Sequence, residues 1–413
     1  MEHNMIFTRI KLDNFYSFKN SEVDLSFKRM PVDTTIPYEY LEGRDKFYFK
    51  RVCILSGANA SGKTSFGRML FEIQQFLIKK RFSFDLINAI SQKNEPASFE
   101  VDFVTHNTLT MHRVYVSINV KGDINKLIYA STTIGKNDSC NKATKKLDEI
   151  IQQKTAPRGG RYLTASGKDI LINIIKFNKL LFGNNGWYYT LSENSNDVFD
   201  LEQDKKYLKA SILKCILKSF DPSIEDVYES FILNKKANKT EINGYQITFS
   251  NQDDVFIDIN GHVTNKERLS RGTYDAIEVA SLIAWIISDK QNEKRYKENN
   301  ITSIPNSIYF LDEKMAFAHS ELEQAIINTI ITNLGRHSQF FYTTHNYDIL
   351  ELNLPVHSYL FTRKVDNVTE FIEPAETYKK NDRNLLNYVK NNMFQTLPDT
   401  YFIDNLPECS YDE

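Results

Sequence analysis

The chain has 413 residues, with 51 Lys plus Arg against 53 Asp plus Glu and a formal net charge of −2. That balance excludes a protein that holds nucleic acid through bulk charge, which requires a basic excess. With 41% hydrophobic and 25% charged residues, the composition is that of a globular protein rather than a tail or fibre, with length for two to three lobes at roughly 150 residues each.

In chain order, residues 6–12 alternate as a strand, 14–18 read as a turn and 22–27 as the returning strand. A proline-containing connection over 31–37 leads to a strand at 47–55, which runs into a glycine-rich loop. Beyond the loop, Phe66, Met69, Leu70, Ile73, Phe76 and Leu77 recur at helical spacing. Alternating segments at 99–104, 111–120 and 126–130 predict a meander of strands. From 142 to 230 the pattern turns helical, with one stripe at Ile170, Ile174, Phe177 and Leu181 and a second at Leu208, Ile212, Cys215 and Ile216. Between the stripes lie a glycine-containing loop at 184–187 and an acidic loop at 193–204.

Strands resume near Phe231 and run to Ile259. A helix opens at Leu269-Ser270-Arg271-Gly272-Thr273, with Ala276, Ile277, Ala280, Ile283, Ala284 and Ile287 on its apolar face. A polar loop over 290–306 precedes the strand 307–311, which ends in Asp312-Glu313. Leu322, Ile326 and Ile330 mark a further helix, and the strand 339–343 leads into Thr344-His345-Asn346. Strands at 358–365 and 368–372, a helix at 384–394 and an acidic tail complete the chain.

Cys53, Cys140, Cys215 and Cys409 form no C-x-x-C pair, so they read as buried or free thiols of a reducing compartment. The N-terminus lacks the apolar core of a signal peptide. The longest apolar stretches, such as 283–287, fall far short of the ~20 residues of a membrane span. A cytoplasmic protein is expected.

Gly57-Ala58-Asn59-Ala60-Ser61-Gly62-Lys63-Thr64 satisfies G-x-x-x-x-G-K-[ST] at every fixed position, between a strand and a helix. Glycines let backbone amides close around anionic oxygens at a helix N-terminus. Lys63 supplies a point charge for the β- and γ-phosphates, and the Thr64 hydroxyl, followed by Ser65, can ligate Mg²⁺. Asp312 is placed to hold the metal through water, and Glu313 to orient or deprotonate an attacking water. Ser270 and Gly272 open a helix whose first amides can face a phosphate, although a plain serine N-cap would look the same. His345, at a strand's carboxyl end, is either structural or a γ-phosphate contact.

Phosphate loop, Leu-Ser-x-Gly helix, apolar strand with Asp-Glu and strand with His follow in the order of ABC-type ATPases. The chain resembles the RecF, SMC and OLD side of that superfamily, through Asn59 in Gly-x-Asn-x-Ser-Gly-Lys, the opening Ile-x-Leu-x-Asn-Phe-x-Ser-Phe, and the Leu-Ser-Arg-Gly-Thr signature. The resemblance implies an α/β fold: a P-loop ATPase head with an N-terminal antiparallel β subdomain and an inserted helical lobe. Its expected segments are 1–141 (N-lobe), 142–230 (helical lobe), 231–375 (C-lobe) and 376–413 (C-terminal helix and tail). It implies ATP and Mg²⁺ as cofactors, a D-loop at Ala318-His319, and His345 as switch histidine. Ser270 and Gly272 would act across a dimer on ATP held by the other copy, which implies a homo-oligomer of ATP-sandwich dimers that can extend to a ring. Gln92 is a candidate Q-loop residue that does not sit clearly at a strand end.

Within this group the inserted lobe and the 382–394 region resemble the ATPase subunits of PARIS-type anti-phage defence systems. That implies a TOPRIM-nuclease effector and a phage-encoded trigger protein as partners. The alternative is a RecF/SMC-like DNA-repair or clamp ATPase. Against it, 142–230 lacks sustained heptads, and Lys79-Lys80-Arg81 and Lys145-Lys146 are small basic clusters better read as solvated surface. The segment after His345 carries no Asp-x-Asp pair, so no metal nuclease is expected there.

Overall fold

The structure is a computed structural model; the residues it describes are 5–31, 34–79, 82–166, 186–190, 207–234, 239–299, 307–377, 385–398 and 400–404. In chain order these form β1 (Met5–Asp13), β2 (Ser21–Asp24), β3 (Tyr40–Leu41), β4 (Arg44–Tyr48), β5 (Val52–Ser56), α1 (Lys63–Lys79), α2 (Phe84–Asn88), β6 (Ala97–Thr105), β7 (Thr110–Ile118) and β8 (Ile124–Thr133). Next come α3 (Cys140–Gln153), β9 (Arg161–Ser166), β10 (Gly186–Thr190), α4 (Ala210–Phe220), β11 (Ile224–Asn234), β12 (Lys239–Phe249), β13 (Asp254–Asp258) and α5 (Arg271–Glu298). The chain continues through β14 (Ser307–Asp312), α6 (Ser320–Asn333), β15 (Gln339–Thr344), β16 (Tyr359–Val365), β17 (Val368–Ile372), α7 (Pro374–Thr377), α8 (Leu385–Lys390) and α9 (Tyr401–Asp404).

This is a mixed α/β fold with two six-stranded sheets. One is antiparallel, in the order β2-β1-β6-β7-β8-β9; the other runs β10-β14-β15-β5-β16-β17 and is parallel except for β17. A three-stranded antiparallel sheet, β11-β12-β13, packs with α4 and the start of α5. The parallel strands β5, β14 and β15 are buried throughout, as expected where both faces are covered. Alternation sorts their side chains: Cys53, Leu55, Ile308, Phe310 and Phe341 face α1, while Val52, Ile54, Tyr309, Leu311 and Phe340 face α5 and α6. Phe66, Met69, Leu70, Ile73, Phe76 and Leu77 of α1 share one core with residues of both sheets, Phe66 against Phe371 of β17 and Phe76 against Phe99 of β6. Burial of each such side chain contributes about 1.5–3 kcal/mol, so α1 is fixed from both sides. Among the described residues no helix is long and apolar enough to cross a membrane.

Several expectations change. The strand expected at 47–55 is two strands, β4 and β5, because the intervening cations turn inward to separate partners. Lys50 Nζ bonds Glu373 at 2.8 Å, and the buried Arg51 guanidinium donates to the carbonyls of Pro37, Leu334 (3.1 Å) and Gly335. The polar loop expected from residue 290 is helical as far as Glu298, since Glu293 is buried, pairs with Lys297 at 2.7 Å and accepts from the Arg336 amide. Of the expected stripe, Leu208, Ile212 and Ile216 pack on the core and Cys215 does not: it is exposed, and on α4 Leu213 and Leu217 are the fully buried residues. The stripe at Ile170, Ile174, Phe177 and Leu181 lies outside the described residues, as do the 193–204 loop, Lys80, Arg81, 382–384 and Cys409. Within 142–230, β9 extends the antiparallel sheet and β10 the parallel one.

His106, after β6, stacks on His337, before β15, with ring centroids 4.0 Å apart. Burial lowers the pKa of His106 to about 4 and drives that of His337 well below its usual value, with His106, Arg336, Arg51 and Lys297 adding to the latter. Both imidazoles therefore stay neutral in the folded chain while unfolded histidine takes up a proton below pH ~6.5. Their contribution to stability is complete above that pH and is lost as pH falls toward 4, by of order 1 kcal/mol per pH unit for each. Urea unfolding followed from pH 7 to 4.5 should show this slope, and His106→Phe should make it shallower.

Candidate functional site

β5 delivers the chain to Gly57 in the middle of the parallel sheet, and the 57–62 loop closes back onto the start of α1. The loop lies directly on the β16–β17 hairpin. A Cβ on Gly57 would stand 2.2 Å from the Thr362 carbonyl oxygen, and one on Gly62 (φ +106°) would stand 2.5 Å from Thr369 Oγ1. Gly57 is required because it lies on the Thr362 backbone, and Gly62 because of its positive φ and the Thr369 side chain packed against it. Ser61 Oγ and Thr362 Oγ1 are 2.6 Å apart, and Thr369 Oγ1 donates to the Ser61 carbonyl at 2.9 Å. Thr369 also meets Ser17 twice, hydroxyl to hydroxyl at 2.7 Å and amide to carbonyl at 2.8 Å. Hydroxyls from β16, β17 and the β1–β2 turn thus hold the loop from beneath. Asn59 and Ala60 form its exposed crest, with Ala60 in the left-handed region at φ +60°.

Lys63 is the first residue of α1 and its side chain is buried. Its ammonium donates to the carbonyls of Gly57 (2.9 Å) and Ala58 (3.1 Å) and stands 3.2 Å from Glu313 Oε1. Thr64 and Ser65 occupy the same first turn, half-buried.

The neighbouring strand ends supply the other groups. The order β14-β15-β5 aligns three carboxyl ends at one edge, where ligands of parallel sheets bind. Asp312, closing β14, is fully buried and accepts from Thr343 Oγ1 at 2.5 Å. Glu313 follows in a left-handed turn, φ +52°, its amide shared between Thr343 O (3.2 Å) and Oγ1 (3.1 Å). That turn points its carboxylate across the edge, with Oε1 lying between Lys63 and His345 Nδ1, which is 3.7 Å away. The His345 side chain is 46% exposed. The fold therefore brings Lys63, Glu313 and His345 together at one edge of the sheet, beside the 57–62 loop and the strand end that carries Asp312.

Other candidates lie apart. Ser270 caps α5, its Oγ accepting from the Thr273 amide at 3.1 Å. Gly272 abuts the Phe317 carbonyl, which a Cβ would approach to 2.9 Å. Among the described residues no hydrogen bond or ion pair joins Ser270 or Gly272 to Lys63, Glu313 or His345. Ser270 is exposed; Ala318 and exposed His319 lie in the turn before α6. Gln92 is tied through its backbone to Asn14 ahead of β6 (2.7 and 3.0 Å).

The donor set fits magnesium. Among the described residues there is no cluster of three or more His, Cys, Asp or Glu able to cage a metal. Mg²⁺ needs none: it is held by one or two protein oxygens, substrate phosphates and water, and the Thr64 hydroxyl with the buried Asp312 carboxylate is such a pair.

Of the hydroxyls that support the loop, Thr362 and Thr369 were not singled out in the sequence, and Ser17 entered only as part of the Asn-Phe-x-Ser-Phe run. Nor was the buried ion pair of Lys314 with Glu278 of α5 (2.7 Å), which fastens the segment after Glu313. Alternation marks Thr369 as strand, but nothing local says what its hydroxyl meets.

No family model matches the chain, and no curated protein matches it. Among solved structures it is similar to an SMC head bound to the C-terminal winged-helix domain of ScpA. There the identity is 13% and the TM-score 0.46, covering 90% of this chain and 100% of that one. It is also similar to the SMC head domain from Thermotoga maritima (14%, TM-score 0.38, 89% and 98% covered) and to the recombination mediator RecF with ATP (10%, TM-score 0.38, 90% and 99% covered). These are distant likenesses, and the chemistry is read from the residues of this chain.

Thr369→Val leaves the Ser61 carbonyl without its donor beneath the loop. Stability should fall by about 1–2 kcal/mol, as for a lost buried hydrogen bond, while unfolding stays cooperative. Urea titration alongside thermal melting measures both.

Proposed function

We propose that this chain is an ABC-type ATPase, binding ATP with Mg²⁺ and hydrolysing it to ADP and phosphate. The observation that carries the reading is the meeting of Lys63, Glu313 and His345 at the edge where the 57–64 loop and buried Asp312 also end.

The amides of residues 57–65 and the Lys63 ammonium bind the β- and γ-phosphates, and catalysis is mainly positioning and electrostatics. A bound Mg²⁺, held by Thr64 and Asp312, would neutralise charge on those oxygens. Arrival of the phosphates draws Lys63 from the loop carbonyls and from Glu313, which frees that carboxylate to orient water and accept its proton. His345 faces the γ-phosphate from the next strand. Ser270 and Gly272 serve a facing copy: among the described residues neither bonds to its own Lys63, and Ser270 heads an exposed helix start, where amides favour an anion. Two copies then enclose two ATP molecules. The segments 1–141, 142–230, 231–375 and 376–413 are part of the same proposal.

The finer reading is a sensor and scaffold of bacterial anti-phage defence, with an ATP state that holds or releases an effector of TOPRIM-nuclease type. It is supported by the layout of motifs, by a near-balanced charge unsuited to bulk DNA binding, and by exposed Tyr228, Phe231, Ile232 and Leu233 on β11, which suit a protein contact.

Lys63→Ala should abolish ATP binding, whereas Glu313→Gln should retain it and lose about 10²–10⁴-fold in turnover, the usual share of a general base. Phosphate release and nucleotide titration check both, and normal turnover in Glu313→Gln overturns the assignment. Tagged Glu313→Gln chain, captured with ATP from its native cells, should bring down a nuclease-class protein. Salt-sensitive recovery of DNA instead would favour a RecF/SMC-like clamp.

A further inference from the structure

The end of β15 reads Tyr342-Thr343-Thr344-His345-Asn346, and its side chains divide between two sides as strand alternation requires. On one side Thr343 donates to Asp312 and His345 faces Glu313. On the other, all three side chains converge on one carboxylate. Tyr342 OH and Thr344 Oγ1 donate to Glu323 Oε1 at 2.5 and 3.1 Å, and Asn346 Nδ2 donates to Oε2 at 2.7 Å.

Glu323 lies in the first turn of α6 and is 1% exposed. Ser320, which opens α6, accepts a second bond from Asn346 Nδ2 (3.1 Å) and donates to Asp348 (2.7 Å). Gln324 Nε2 donates to the Asp348 carbonyl at 2.9 Å. The residues before and after His345 are therefore fastened to one helix turn. A buried carboxylate is a costly way to pack a helix against a strand, and an apolar residue of similar volume often serves stability as well. What an apolar residue does not provide is a fixed direction for the residue between the clamped neighbours.

We propose that Glu323 is the positioning residue of His345, holding its imidazole toward the γ-phosphate by clamping Tyr342, Thr344 and Asn346. Through the same turn it links His345 to the 318–319 segment at the start of α6. This rests on the ATPase reading, with Glu323 acting on turnover and not on ATP binding.

The test compares Glu323→Ala, Glu323→Gln, His345→Ala and the double variant Glu323→Ala/His345→Ala, with thermal melting to confirm folding. Glu323→Ala should lower kcat by about 10–100-fold, as loss of an orienting partner does, with ATP Kd within about twofold. The double variant should be no slower than His345→Ala, because residues acting as a unit are not additive. Glu323→Gln, the variant that serves if Glu323→Ala does not fold, keeps one acceptor oxygen but presents an amide donor to Asn346. Its kcat should fall less, again at constant Kd. Wild-type kcat in both Glu323 variants, a fully active His345→Ala, losses that add in the double variant, or a loss confined to Kd would each overturn the inference. A wild-type chain that neither binds nor hydrolyses ATP overturns the ATPase reading and this inference together; wild-type turnover with unaltered variants overturns the inference alone.

Discussion

Lys63 is a cation that the fold buries, and the architecture around it answers the need for acceptors. An ammonium removed from water is tolerated only where oxygens replace it. Two are loop carbonyls, Gly57 and Ala58, and the third is Glu313 on another strand. The loop can offer its carbonyls only because it curls over the β16–β17 hairpin, so closely that Gly57 and Gly62 admit no Cβ. Glu313 can reach across only because β14 and β5 flank β15 in register, with Asp312 opposite Thr343 and Ser56 opposite Thr344.

That register is held by packing on both faces. α1 lies between the two large sheets, and α5 and α6 cover the opposite side of the parallel one. The segment after Glu313 is pinned twice, by Lys314 to Glu278 and by Gly272 against Phe317. Burial raises the pKa of Glu278, and the Lys314 ammonium opposes it. The strand after Thr343 is pinned by Glu323, whose pKa burial also raises against three donating side chains. Lys314, Glu278 and Glu323 thus sit where helices meet strand ends, the places that set direction, while a separate buried set, Asp102 with Arg9 and Arg113, ties strands of the antiparallel sheet together.

The 57–64 loop was legible in the sequence because its pattern is local: glycines, lysine and hydroxyl fall within one turn and the helix start. Asp312-Glu313 and Thr344-His345 were legible as strand ends, since an apolar run followed by polar residues marks where a buried strand emerges. The helix from Ser270 was found by its cap, but its length was not. The charged stretch 290–298 reads as loop until Glu293 is seen to be buried against Arg336. β9 and β10 were likewise hidden within a stretch of helical periodicity, because each is stabilised by pairing along an existing sheet edge.

The sequence by itself determined which groups are present and the order in which they occur, because helix caps, glycine loops and strand alternation depend on residues a few positions apart. Only the tertiary structure decided that Glu313 lies between Lys63 and His345 at one sheet edge. It alone placed Thr362 under Ser61, 301 residues away, and Glu323 behind His345. Such contacts depend on strand order and helix packing. A hydroxyl or carboxylate carries no local sign of the partner that the fold will bring to it.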